Sequence, residues 1–197
     1  MDEELTDEQI VSLIKDGDKE KFSQLYLRYI DRIYRLSYFK LRNKEDAEDV
    51  TSKTFLNALK SIGSFREDSG SFSSWLYQIT RNLIQDKFRL RPREVALDEN
   101  LELPYHQGIE NNIDIAKNLK ELDKVLNELE DEQKDIIIMR LWDEMPFKEI
   151  AETLNKNESA TKMSFYRGLE KIKQALIIMI LALGKIIYIT QNLWTKI

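Results

Sequence analysis

Apolar residues along the first ninety positions recur every three or four residues, the spacing that gathers them on one face of a helix. Thr6-x-x-Gln9 has the form of a capping box, and Ile10, Val11, Leu13 and Ile14 follow it. Gly17 ends this short helix and Asp18 can cap the next. Phe22, Leu25, Tyr26, Tyr29, Ile30 and Ile33 predict a second helix of several turns. Asn43 opens a third, carried by Ala47, Val50, Phe55, Ala58 and Leu59 and closed by Gly63. Residues 64–71 are polar, contain a glycine and read as a loop. A fourth helix begins near Ser73 or Ser74, with Trp75, Leu76, Ile79 and Leu83 on one face, and Pro92 stops it.

Residues 94–117 lose this periodicity, hold Pro104, Gly108 and Asn111-Asn112, and read as a linker. Helical spacing resumes at Leu119, Leu122, Val125, Leu126 and Leu129. It continues over roughly 131–142 with Ile136, Ile137, Met139 and Leu141. Pro146 suits the first turn of a short helix presenting Phe147, Ile150, Ala151 and Leu154. Asn155-Lys156-Asn157 reads as a tight turn, and a last helix begins near Glu158. There is no strand pattern and no internal repeat. The expected fold is all-α, with two small helical domains, 1–93 and 118–175, a flexible linker at 94–117, and an apolar tail at 176–197.

The chain has no cysteine, which excludes disulfides and thiolate metal sites and fits a reducing cytoplasm. A single histidine, His106, cannot make a zinc site or a triad by itself. No nucleophile–base motif or phosphate loop stands out, so neither an enzyme nor a cofactor is expected. The acidic start Met1-Asp2-Glu3-Glu4 is not a secretory signal.

A net charge of −5 looks wrong for a nucleic-acid binder, but it conceals an uneven distribution. Residues 1–20 carry eight acids and two bases, whereas 60–93 carry seven bases and three acids and 156–173 five bases and two acids. Exposed charges are screened beyond roughly 8 Å at physiological salt, so DNA responds to such local patches. Residues 146–173 match a helix-turn-helix, in which Ile150, Ala151 and Leu154 pack against Phe165 and Leu169 while small Ala151 lets the helices cross closely. Lys162, Tyr166 and Arg167 would then face a major groove. The same pattern fits a helical hairpin with solvated lysines, in which Arg167 pairs with Glu158 or Glu170.

Three stretches in combination resemble the extracytoplasmic-function (ECF) sigma factors. Asp46-Ala47-Glu48-Asp49-Val50-Thr51-Ser52-Lys53-Thr54-Phe55-Leu56-Asn57-Ala58 resembles the polymerase-binding helix of sigma region 2. Phe72-Ser73-Ser74-Trp75-Leu76-Tyr77-Gln78-Ile79-Thr80-Arg81-Asn82-Leu83-Ile84-Gln85-Asp86 resembles the stretch that reads and melts the minus-ten element. Phe147-Lys148-Glu149-Ile150-Ala151-Glu152-Thr153-Leu154 and the helix after it resemble region 4, which reads the minus-thirty-five element. The resemblance implies a transcription initiation factor whose partners are RNA polymerase core, through the β′ clamp coiled coil and the β flap, promoter DNA and an anti-sigma factor. It implies polymerase contacts at Asp46, Asp49 and Lys53, which share one helix face. It implies minus-ten contacts at Ser69, Ser71, Arg81, Asn82, Lys87 and Arg89, and minus-thirty-five contacts at Ser159, Lys162, Met163, Tyr166 and Arg167. Loop 64–71 falls where the family places its base-capturing pocket. Trp75 reads as core at its spacing, while Phe65 could stand near the strand.

Two features depart from the family. Its usual Thr-Val-Lys-Ser-Arg run is here Ala160, Thr161, Lys162, Met163 and Ser164, so a serine replaces an arginine. The tail from Ala175 to Ile189 is apolar apart from Lys185; it is short for a membrane span of about 20 residues. It is expected to meet a membrane surface or a partner, or to fold back on its own domain. The competing reading of the whole chain is a stand-alone helix-turn-helix regulator, which would have no use for a melting helix.

Overall fold

Thr6 starts the first helix as its pattern requires: its hydroxyl accepts from the Gln9 backbone N–H at 3.3 Å, and the Gln9 amide oxygen accepts from the Thr6 N–H at 2.8 Å. In the computed structural model, which describes residues 5–90 and 129–174, this helix is α1 (Asp7–Lys15). Gly17 takes the turn after it with φ of 112°. Asp18 precedes a 3-10 turn at Lys19–Lys21, but its side chain makes no capping bond, so the expected cap is not formed. α2 (Phe22–Leu41) follows. Asn43 caps α3 (Lys44–Ser61), its side-chain oxygen accepting from the Asp46 N–H at 2.8 Å. A 3-10 turn at Ile62–Ser64 leads into the loop. α4 is Phe72–Leu90, so it begins a residue or two before the predicted start.

The chain divides into two compact units, Met1–Pro104 with Ile138–Thr161, and Tyr105–Ile137 with Lys162–Ile197. In the first, α3 packs on α2 and α4, and α1 packs on α2. Leu25, Ile33, Leu36, Val50, Ala58, Phe72, Leu76 and Tyr77 form its dry centre. Periodicity alone misplaces four residues of this unit: Leu13 is 36% exposed, Tyr26 and Leu59 are each 41% exposed, and Leu141 is 48% exposed. On α4 the buried residues are Phe72, Ser73, Ser74, Leu76, Tyr77, Thr80 and Ile84, while Trp75, Ile79 and Leu83 lie at the margin. Hydroxyls enter this core because they can bond their own helix: Thr80 donates to the Leu76 carbonyl at 2.9 Å, Thr51 to Ala47 at 2.7 Å and Thr54 to Val50 at 2.8 Å.

α5 (Asp131–Leu141), α6 (Phe147–Leu154) and α7 (residues 158–174) carry the second half of the pattern. Pro146 stands just before α6, and Asn155 ends it in the left-handed conformation with φ of 53°. The Lys156 N–H returns to the Ala151 carbonyl at 2.9 Å, which closes the turn. Asn157 then accepts from the Ala160 N–H at 2.7 Å and caps α7. Within the second unit, Gly168 of α7 lies so close to α5 that a Cβ there would stand 2.8 Å from Ile137 Cδ1. Gly168 thus supplies a close helix approach in addition to any that Ala151 permits. Leu169, expected in the core, is 37% exposed. The linker 94–117, the stop at Pro92, the helix from Leu119 and the apolar tail lie outside the described residues.

Asn43 offers a direct check on how α3 is started. Asn43→Ala is expected to destabilise the protein by about 1 kcal/mol through loss of one capped N–H. A lowered urea midpoint at unchanged slope would show it; an unmoved midpoint would show that the cap contributes nothing.

Candidate nucleic-acid interface

Phe65 opens the loop before α4 and is buried, with its ring 5.9 Å from that of Phe72 and 5.3 Å from that of Trp75. Lys15 pins it from the other side, donating to the Phe65 carbonyl at 2.6 Å with its ammonium 5.6 Å from the ring centre. A 3-10 turn at Glu67–Ser69 and Gly70, whose φ of 137° suits glycine, carry the chain back to the helix. Ser71 caps α4, its hydroxyl accepting from the Ser74 N–H at 3.2 Å. These constraints hold open a pocket of about 230 Å³, walled by Ser69, Gly70, Ser71, Ser74, Trp75 and Gln78 together with Ser64, Phe65 and Arg66. One aromatic wall with hydroxyls, a backbone N–H and an amide around it can stack and hydrogen-bond a flat polar ring. Trp75, which its spacing placed in the core, is only half-buried and lines the pocket together with the buried Phe65.

Ser71, Ser74, Gln78, Arg81 and Asn82 continue along one side of α4 from this pocket. Asn82 is exposed and Arg81 half-buried. Arg89 is exposed beside Asp86 at 3.4 Å. Lys87 is turned toward α3, where its ammonium lies 2.8 Å from both Asp46 and Asp49. Lys53 also meets Asp49 at 2.8 Å. The hydrogen bond from Lys53, then that from Lys87, holds the Asp49 carboxyl below the usual range, and the bonds to Asp46 and Asp49 push the Lys87 ammonium up. Asp46, Asp49 and Lys53 thus share one ion cluster with Lys87, on the part-exposed side of α3.

On α7, Ser159, Lys162, Met163, Tyr166 and Arg167 are all exposed. Their spacing of three, four, seven and eight residues puts them on one face of the helix. That face carries cations, a hydroxyl and an aromatic ring, the groups that contact phosphates and base edges in a groove.

Sequence reasoning did not find the side chains that join α6 to α4. Asp143, in the turn between α5 and α6, has a fully buried side chain. Arg35 of α2 reaches it at 2.5 Å, and the Tyr77 hydroxyl donates to it at 2.6 Å. Burial pushes the Asp143 carboxyl up to about 6, against the pull of Tyr77, Arg35 and Arg32, and burial likewise raises the Tyr77 phenol. Glu149 and Glu152, three residues apart on α6, face the serines of α4: Ser73 donates to Glu149, and Ser74 to Glu152 at 3.2 Å. Among the described residues no group of His, Cys, Asp or Glu could hold a metal ion.

The Sigma-70 region 2 family matches residues 25–94, and the Sigma-70 region 4 family matches residues 119–172. The chain is 33% identical to the ECF RNA polymerase sigma factor BldN of Streptomyces coelicolor over 175 residues, 85% of this chain and 65% of that protein. It is 30% identical to the ECF RNA polymerase sigma factor SigW of Bacillus subtilis over 178 residues, 84% of this chain and 94% of that protein. Its fold is similar to that of the sigma factor RpoE in complex with the anti-sigma factor NepR from Bartonella quintana, at a TM-score of 0.63 and 21% identity, over 81% of this chain and 98% of that one. The match to SigW, 30% identical over nearly the whole of that protein, with regions 2 and 4 in order, shows that the chain belongs to the ECF family of RNA polymerase sigma factors, which recognise promoters and initiate transcription.

Proposed function

We propose that this sigma factor captures a minus-ten base in the pocket beside Trp75 and reads the melted strand along Ser69, Ser71, Arg81 and Asn82. Arg89 holds phosphates there, as does Lys87 once released from its acids. The observation that carries this reading is the pocket itself, whose aromatic wall and polar rim lead directly into the Arg81–Asn82 side of α4. Extruding a base costs a few kcal/mol, and stacking against an aromatic ring returns about 1–3 kcal/mol per base. Ser159, Lys162, Met163, Tyr166 and Arg167 of α7 read the minus-thirty-five duplex. The α3 cluster of Asp46, Asp49 and Lys53 meets polymerase core, its acids exchanging Lys87 for cations of the partner. In this reading residues 1–93 and 118–175 act as the two promoter-reading modules, and the β′ clamp coiled coil and β flap are their contacts on core.

An anti-sigma factor is the proposed regulator, in keeping with the RpoE–NepR complex that this fold resembles. The work is proposed to take place at the nucleoid. No helix among the described residues is long and apolar enough to cross a membrane.

Run-off transcription with polymerase core on a promoter library tests the assignment. Asn82→Ala is expected to relax base preference at the minus-ten element and weaken the permanganate footprint. Arg167→Ala is expected to lose about 1–3 kcal/mol on promoters that depend on the minus-thirty-five element. An unaltered footprint and preference would remove Asn82 from the strand, and intact minus-thirty-five dependence would remove Arg167 from the groove.

A further inference from the structure

The side of α4 that borders the pocket is already covered within its own unit. The Ser71 backbone N–H points at Glu152 Oε2 at 3.4 Å, and the Ser74 hydroxyl reaches the same carboxylate at 3.2 Å and the Glu149 carbonyl at 3.1 Å. The Ser73 hydroxyl donates to the Glu149 carboxylate. Further along, the Gln78 amide donates to the Glu152 carbonyl at 2.9 Å, and Arg81 reaches the Thr153 carbonyl at 3.4 Å. In each of these contacts α4 and its cap give the hydrogen and α6 accepts it. A nucleic-acid strand would meet the same donors in the same sense, because its phosphates, and many of its base-edge groups, are acceptors. Gly70, on the pocket rim, leaves room for this: a Cβ there would stand 3.2 Å from Glu152 Oε2.

We propose that α6 is an internal acidic mimic of the promoter strand, and that Glu149 and Glu152 close the free factor by occupying the donors of α4. This rests on the assignment of that side of α4 to the minus-ten strand. Geometry then requires opening. The two promoter elements lie roughly 25 base pairs apart by their positions, about 85 Å of duplex at 3.4 Å per step. Asn155 to Asn157 joins α6 directly to the groove-reading α7, so α7 cannot sit on the distant element while α6 is hydrogen-bonded to α4. Closure and promoter engagement exclude each other, and the strand affinity of the free factor is lowered by the fraction of molecules that are open. Binding of polymerase core, which engages both modules, is the event that shifts the balance.

The absence of native cysteines gives a direct test on the full chain. Ser73→Cys with Glu149→Cys places one thiol pair across the contact. The free protein is expected to form an intramolecular disulfide under mild oxidation. The oxidised form should bind a fluorescent single strand at least tenfold more weakly than the reduced form, the strand being the minus-ten sequence of a promoter transcribed by the holoenzyme. Glu149→Gln with Glu152→Gln, which keeps shape and removes charge, should raise the strand affinity of the free factor severalfold and leave transcription by saturated holoenzyme unchanged. Failure of the thiols to pair, both directly and through a short bifunctional thiol cross-linker that makes up the length of the lost glutamate side chain, would overturn closure. Pairing with equal strand affinity in both redox forms would overturn the mimicry, with Asn82→Ala separating two cases. If Asn82→Ala weakens strand binding, the minus-ten assignment stands and only the mimicry fails. If it has no effect, the assignment fails as well.

Discussion

Arg35→Ala is expected to release the turn before α6 from α2 and α4 at neutral pH. The Asp143 side chain is fully buried and holds two donors, Arg35 at 2.5 Å and the Tyr77 hydroxyl at 2.6 Å. Arg35 also lies 3.3 Å from the Trp142 carbonyl. Removing it leaves a buried carboxylate with one neutral donor, and breaking such a pair from one side costs about 3–5 kcal/mol. A surface pair such as Arg66–Asp68, with both side chains about two-thirds exposed or more, contributes at most about 1 kcal/mol. The loss at Asp143 is capped by the free energy that holds the turn in place, because release rehydrates the carboxylate. The expected result is therefore local: faster amide exchange over residues 142–154, with exchange in α3 unchanged. Asp143→Asn in the Arg35→Ala background should restore much of the protection, since the uncompensated charge has gone. Unchanged exchange in Arg35→Ala would mean that the pair does not hold the turn.

What the sequence disclosed about the fold depended on the range of each interaction. The Thr6–Gln9 box, the Asn43 cap and the Asn155 turn are fixed within three or four residues, so they could be read from spacing and all formed. Burial is a longer-range matter. Tyr26 and Leu59 satisfy the apolar spacing yet lie at the edge of the packed face, where Tyr26 rests its ring 4.8 Å from that of Phe55. Ser73, Ser74 and Thr80 break the spacing yet are buried, because each has a hydrogen-bond partner.

Chemistry was legible in the same graded way. The stretch Ser69 to Asn82 stood out through the family resemblance, but the burial of Phe65 involves Lys15, fifty residues away from it. Lys87 looked like one more phosphate ligand until α3 brought Asp46 and Asp49 to it. Asp143 carried no signal at all. An acid in a turn between helices is ordinarily solvated, and only Arg35 and Tyr77, distant along the chain, make it a buried hinge point.

That hinge point makes the attachment of residues 138–161 dependent on acidity. Asp143 titrates at about 6 in place and at 3.8 when solvated. Burial is the main cause, and Tyr77 of α4 with Arg35 and Arg32 of α2 offset only part of it. Between these two values the attached state binds more protons than the released one, so attachment is strongest below 3.8, weakens as pH rises to about 6, and is level above that. The total change is about 3 kcal/mol for a shift of this size. Asp49 acts in the opposite sense and in a different window: its carboxyl is lowered, so its contribution is present above 3.8 and is lost as pH falls below that value. Because Asp49 is about one-third exposed, its share is small. The phenols of Tyr29 and Tyr77, both raised, act only above their ordinary 10. Between pH 4 and 6, among these shifted groups, the slope is therefore that of Asp143. Fluorine NMR of 5-fluorotryptophan at Trp142, whose ring lies 5.5 Å from that of Phe39, can follow attached and released populations in mild urea. In the unsubstituted protein the released fraction should grow as pH rises from 4 to 6 and then hold steady. In Asp143→Asn it should be flat across the same range, and equal slopes in the two proteins would show that Asp143 is not the titrating group.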